Sequence, residues 1–408
     1  MFIWFFACNQ GYDGKRVEVD NTLQPSSEPG VEPSSSPAGE PTTEPSSPTQ
    51  EPTQEPSSPS SDPDPVEDPL DTGSFTYVQK NVVPNNGFIE VSVPLTSQAT
   101  SVMVAIRGKE ESIVYEVVNP EGDIVFSAND WYSGNQLLTD AIYTSSTGER
   151  AFNWPIRAID PPLYEGSWEF VFFTNDTSST AAIVDIMIKR DTQLYAGTLN
   201  VMIGYTNDLN YVQDFETILS QAVGIWEDIY AAQGIALNIT SYASSITGDI
   251  PSPYEGAMEY YNLNGQGTNQ DVLIMIGENI EGLSDQFGIA GSIPGTTGRH
   301  RIGAIALSWL YAAGPDGNFD SNDIQLLGET LAHEVGHYIG LPHVVELNWS
   351  RYDALEDTPV CTSLEDCEST FDSYLMYPYP ICTVDSCIPQ TVVTSEQKNV
   401  WHRYVGVD

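Results

Sequence analysis

Residues 333–343 read His-Glu-Val-Gly-His-Tyr-Ile-Gly-Leu-Pro-His, and this run constrains the fold more tightly than any other stretch of the chain. On a helix, His333 and His337 project from one face, one turn apart. Glu334 lies beside the first of them. Gly340 is free to adopt the left-handed conformation that ends a helix, so the chain can turn and bring His343 back to the point the other two imidazoles address. Three imidazoles that meet at one point form a ligand set for zinc. Three protein ligands leave the fourth tetrahedral position to water, the mark of a catalytic rather than a structural site. The chain holds only 5 histidines in 408 residues. Chance packing of three of them at i, i+4 and i+10, with Glu and Gly between, is a poor explanation.

With Glu334 and Gly340 in place, the run resembles the extended signature of the metzincin metallopeptidases. That resemblance implies a zinc ion held by His333, His337 and His343, with Glu334 as general base. It also implies a methionine-containing turn beneath the metal. The matching stretch is Tyr374-Leu375-Met376-Tyr377-Pro378-Tyr379, with Met376 as the turn methionine. The Leu-Met-Tyr-Pro wording is similar to matrix metalloproteinases, whereas Glu356-Asp357-Thr358-Pro359 followed by cysteines is similar to pappalysin-type members, so the subfamily stays open. In astacin-like and serralysin-like members a tyrosine two places after the methionine contacts the metal. Here that place is Pro378, flanked by Tyr377 and Tyr379.

The chain carries 57 acids against 14 bases, a formal charge of −43. Such a polyanion repels nucleic acid, which argues against that class of partner. The first 72 residues account for 14 acids and 2 bases, so the excess extends well beyond them. This fits a salty medium or calcium loading. A weaker calcium signal comes from Asp316, Asn318 and Asp320 around Gly317, but the twelfth position of such a loop is Leu327 rather than glutamate. Capping of the histidine-bearing helix by Asp323 or Asn322 is the stronger reading of that stretch. Cys361, Cys367, Cys382 and Cys387 cluster around the methionine turn and point to two disulfides in an oxidising compartment, with three pairings open. Their spacings are wider than Cys-x2-Cys and argue against a second zinc site.

Four regions follow from composition and pattern. In 1–23, the apolar run Phe2–Ala7 followed by Cys8 resembles the end of a bacterial lipoprotein signal, with Cys8 as the lipidation candidate; the run is too short to span a bilayer. Residues 24–73 are rich in Pro, Ser, Thr and Glu and nearly devoid of large apolar residues, a disordered linker that acts as a semi-rigid spacer. Residues 74–192 alternate apolar and polar in short runs at 88–93, 101–106, 114–118, 168–173 and 182–188, an all-β sandwich that resembles jelly-roll accessory domains of secreted peptidases. Trp131, Trp154 and Trp168 in this region read as core packing rather than a carbohydrate platform. In 195–408, strand patterns at 199–205, 236–241, 271–276 and 304–307 surround a helical face from 211 to 232 and lead to the histidine helix. That order predicts an α+β catalytic domain with a mixed sheet. His300 and His402 lie outside the motif as ordinary solvent or packing residues.

These readings combine into a multidomain, secreted or surface-anchored zinc metalloendopeptidase. It acts as a monomer on protein or peptide substrates, with membrane attachment through an N-terminal lipid. The alternative is a surface adhesin whose zinc domain is degenerate. Intact Glu334 speaks against it, because a purely structural metal site has no use for that carboxylate.

Overall fold

Strand β4 (Ser101–Arg107) is buried along its whole length, and both of its faces meet apolar neighbours. The computed structural model describes residues 70–408 except 72, 110–111, 130–149, 177, 254–271, 284–285, 299, 301–302, 315–316, 347–351 and 383–385. Cys8, Trp131, Asp316 and the linker up to residue 69 therefore lie outside the described residues.

Two antiparallel sheets are built from the alternating segments. The first runs β1 (Leu70–Asp71), β2 (Phe75–Val82), β9 (Ala182–Lys189), β4 and β7 (Arg150–Trp154); the second runs β3 (Phe88–Leu95), β8 (Gly166–Phe173), β5 (Ile113–Val118) and β6 (Ile124–Ser127). Side chains alternate across a strand. In β4, Val102, Val104 and Ile106 join Ile89, Val91, Phe170 and Phe172 in the core shared by the two sheets. Met103 and Ala105 point the other way, with Ala151 of β7 and Met187 of β9, into a second and larger core. Trp154 and Trp168 are fully buried in the first core, as the packing reading expects.

That larger core is organised by a third sheet. Its order is β11 (Ile235–Ala243), β10 (Gly197–Tyr205), β12 (Val272–Gly277), β14 (Ala304–Ser308) and β13 (Gly288–Ala290), parallel throughout except for β13. Four of these strands match the sequence pattern; the short antiparallel edge strand β13 was not anticipated. Helix α1 (Phe215–Ala232) crosses α3 (Ser321–Tyr338) closely. A Cβ at Gly328 would lie 2.7 Å from both the Ala222 carbonyl oxygen and Ile225 Cβ. Only a glycine lets the backbones approach so near. The short α2 (Trp309–Ala312) precedes α3, and α4 (Leu364–Phe371) and α5 (Ser395–Arg403) follow it.

Residues 70–189 and 197–408 belong to one compact unit. Beyond the shared apolar surface, polar contacts join them. Lys189 Nζ donates to the carbonyls of His402 (2.9 Å) and Val407, Asn153 Nδ2 donates to the Arg403 carbonyl at 3.1 Å, and Arg157 Nη1 to that of Ala354 at 3.3 Å. His402 and His300 are both buried, His402 Nε2 lying 2.8 Å from the Gln233 carbonyl. The four clustered cysteines pair as neighbours, Cys361 with Cys367 and Cys382 with Cys387, so none of these four is a free thiolate. Among the described residues, no helix is long and apolar enough to cross a membrane.

Candidate metal centre and active site

Helix α3 begins at a capping box. The Asp320 side chain accepts from the backbone N–H groups of Asn322 (2.6 Å) and Asp323 (3.1 Å), while the Asp323 carboxylate accepts from the Asp320 N–H at 2.8 Å. The cap is thus Asp320, not Asp323 or Asn322 as expected, with Asp323 as its reciprocal partner. Asp320 thereby serves the helix; Asn318 lies in the loop before it and Asp316 outside the described residues. From Leu326 to Tyr338 every residue of α3 is buried.

The end of α3 is equally well defined. Gly340 adopts φ +115°, in the region that favours glycine. Its N–H donates to the His337 carbonyl at 2.9 Å, and the Leu341 N–H donates to that of Gly336 at 3.0 Å. These two bonds form a Schellman motif, with Gly340 just past the cap. The chain reverses there and returns His343 toward the helix.

His333, His337 and His343 are brought together, each offering a ring nitrogen within 4.8 Å of the others, and all three are buried. His337 Nε2 and His343 Nε2 lie 3.1 Å apart. Two nitrogens held by one tetrahedral zinc at ordinary bond lengths would be separated by about 3.3 Å. The other ring nitrogens are committed. His333 Nδ1 donates to the Leu375 carbonyl at 2.6 Å and His337 Nδ1 to the Leu341 carbonyl at 2.6 Å. A carbonyl only accepts, so both rings carry their proton on Nδ1 and turn the Nε2 lone pair inward. His343 Nδ1 faces the carboxylate Oε2 of Glu346 at 3.2 Å. Burial, reinforced by the neighbouring imidazoles, pushes His333 down to about 3 and His337 well below its ordinary value. The Nε2 lone pairs of His333 and His337 face the His343 ring, three nitrogens that one cation would satisfy together. The donor set therefore fits a zinc ion.

Met376 is fully buried under α3, where a Cβ on Gly336 would come within 2.8 Å of its Sδ. Its carbonyl accepts from the Val344 N–H at 3.0 Å, and the preceding carbonyl, of Leu375, is the one that orients His333. The turn thus braces both arms of the histidine triad. Glu334 is 2 % exposed and packs against β13, a Cβ on Gly288 falling 2.7 Å from its Cγ.

An open cleft adjoins His333 and Glu334, with about 340 Å³ of empty space including the solvent at its mouth. Phe287, Leu326 and Leu375 give it apolar walls, and Glu329 and Tyr379 line it as well. The Tyr377 hydroxyl donates to that of Tyr379 at 3.0 Å, and Tyr379 to Glu368 at 3.4 Å. Burial pushes the Tyr377 phenol up to about 12 and Tyr379 higher still, so both stay protonated donors. Sequence reasoning missed Glu346, Glu329 and Gly288. Glu329 alone left a usable trace, since it stands at i−4 from His333 on the same helix face.

No protein-family model and no curated protein sequence matches this chain. Among solved structures, it is similar to archaemetzincin from Methanopyrus kandleri, with 14 % identity over 51 % of this chain and 88 % of that one and a TM-score of 0.28. It is also similar to myroilysin, with 11 % identity over 50 % of this chain and 90 % of that one and a TM-score of 0.22.

Proposed function

We propose that this chain is a zinc-dependent endopeptidase of the metzincin type. One observation carries the reading: three buried imidazoles converge, those of His333 and His337 with inward lone pairs, and Glu334, next to the first of them, lines the cavity that adjoins it. A bound zinc ion supplies Lewis-acid polarisation of a peptide carbonyl. The protein's own groups do the rest. His333, His337 and His343 hold the ion as neutral ligands. Glu334 accepts the proton released as water adds to the carbonyl carbon, then delivers it to the departing amine nitrogen. The cavity seats a side chain of the substrate beside the bond being cut.

On the same reading, the paired sheets of residues 70–189 form an accessory β-sandwich of the jelly-roll kind, and the protein is exported to the cell surface or medium. Export suits the two disulfides, which persist outside a reducing cytoplasm. Cys8 is the attachment point for a lipid, the linker after it a spacer, and the protein acts as a monomer on protein or peptide substrates. Calcium at the loop before α3 is an accessory proposal.

Replacement of the general base tests the core of this. Glu334→Ala should retain near-stoichiometric zinc by plasma mass spectrometry while cleaving a quenched peptide about 10²- to 10⁴-fold more slowly. A variant that cleaves at the wild-type rate removes Glu334 from the mechanism. Absence of both zinc and cleavage in the wild-type protein removes the peptidase reading itself.

A further inference from the structure

The cleft beside the histidines has apolar walls at Phe287, Leu326 and Leu375 and also holds a buried acid. Glu329 is 4 % exposed. Its Oε1 accepts from Gln325 Nε2 at 2.6 Å, and its carboxyl also accepts from the backbone N–H of Gln390. Both donors are neutral. Among the described residues no lysine, arginine or histidine forms an ion pair with it. Burial pushes this carboxyl up to about 7. An uncompensated charge at this site would carry a desolvation cost. A positive charge that arrives with a ligand would offset that cost.

We infer that Glu329 makes this cavity a specificity pocket for a cationic substrate side chain, lysine or arginine, on the residue adjoining the scissile bond. The inference rests on the peptidase reading and names its substrate class. Reach agrees. Glu329 stands one helical turn from His333, about 6 Å along the axis, and the four-carbon stem of a lysine spans roughly the same length. That stem would cover Phe287, Leu326 and Leu375 while its ammonium meets the carboxylate. A charge-assisted hydrogen bond is roughly twice as strong as one between neutral groups.

The test uses the full chain with Glu334→Ala, so that ligands bind without being cut. Capped hexapeptides carry a single lysine, norleucine or glutamate, moved one position at a time through an Ala/Gly background. Binding is read by calorimetry in about 0.3 M NaCl, where the overall negative charge of the protein is screened beyond several ångströms. The expected result is one position at which lysine binds about tenfold or more tighter than norleucine and glutamate does not bind. Adding Glu329→Gln should bring that ratio close to one, whereas Glu329→Asp, which keeps the charge, should preserve its sign. Norleucine binding as tightly as lysine at every position overturns the inference, as does a lysine advantage that survives Glu329→Gln. Cleavage by the wild-type chain, measured in parallel, separates the two readings. A positional lysine advantage without cleavage keeps the pocket and removes the peptidase, and cleavage indifferent to lysine keeps the peptidase and removes the pocket.

Discussion

A methyl group added at Gly288 would sit 2.7 Å from Glu334 Cγ and 3.3 Å from the carbonyl oxygen of Ala306. Gly288 and Ala306 belong to the paired strands β13 and β14. The backbone is thus held by its ladder, and the Glu334 side chain is the group that must give way. Displacing a reacting group by about 1 Å can cost on the order of a hundredfold in rate. Gly288→Ala should accordingly lower kcat/KM for a peptide by at least about tenfold while zinc content stays near one per chain. An unchanged kcat/KM would show that the carboxylate has room to spare and is not positioned by the strand. The two groups in this contact differ in how they could be read beforehand. Glu334 follows from its place in an eleven-residue run, because helical geometry alone relates it to His333. Gly288 lies far from that run in the chain, and only the sheet brings it near. Glu346 is similar: three residues past His343, it becomes meaningful only once the Schellman turn has aimed that imidazole.

At the scale of elements, β4 explains why the alternating pattern was an incomplete guide. The run Ser-Val-Met-Val-Ala-Ile-Arg reads as a strand in either case. Its uninterrupted apolar middle is what a strand buried on both faces looks like, and Met103 and Ala105 are indeed as buried as Val102 and Val104. The strands of the third sheet and helix α1 were legible because their periodicity is strong over their length. Helices α4 and α5 were not, being short and following turn-rich sequence. The doubly buried sheet has a consequence for dissection. Expressed alone, residues 195–408 would expose the surface that Met103, Ala105, Ala151 and Met187 cover and would lose the Lys189 ammonium from the carbonyls of His402 and Val407. Burying side chains of this size is worth about 1.5–3 kcal/mol each for the larger ones. The fragment should therefore melt at least about 5 °C below the full chain in differential scanning calorimetry, or aggregate on purification. Equal melting temperatures would mean that the two parts fold independently despite their contact.

For the molecule as a whole, the charge imbalance dominates. Of the few bases, Arg107 is committed to Asp185, Lys109 to Asp176 and Arg157 to Asp160, and Lys189 is spent on backbone carbonyls. Little positive charge remains to offset 57 acids. Mutual repulsion among surface carboxylates opposes the compact state, since unfolding moves like charges apart. Dissolved salt shortens the range of that repulsion, from about 30 Å at 0.01 M to about 10 Å at 0.1 M and about 3 Å at 1 M. The melting temperature should thus rise by several degrees as NaCl goes from about 0.01 M to about 0.5 M. Most of the gain should come early, where the screening length passes through the spacing of surface charges. Sucrose at matched osmolality separates screening from solute exclusion, because it excludes without screening. If sucrose reproduces the rise, or if the melting temperature ignores NaCl, the acids are too far apart or too well hydrated to destabilise the fold. A rise peculiar to NaCl would instead mark this protein as one that depends on counterions for part of its stability.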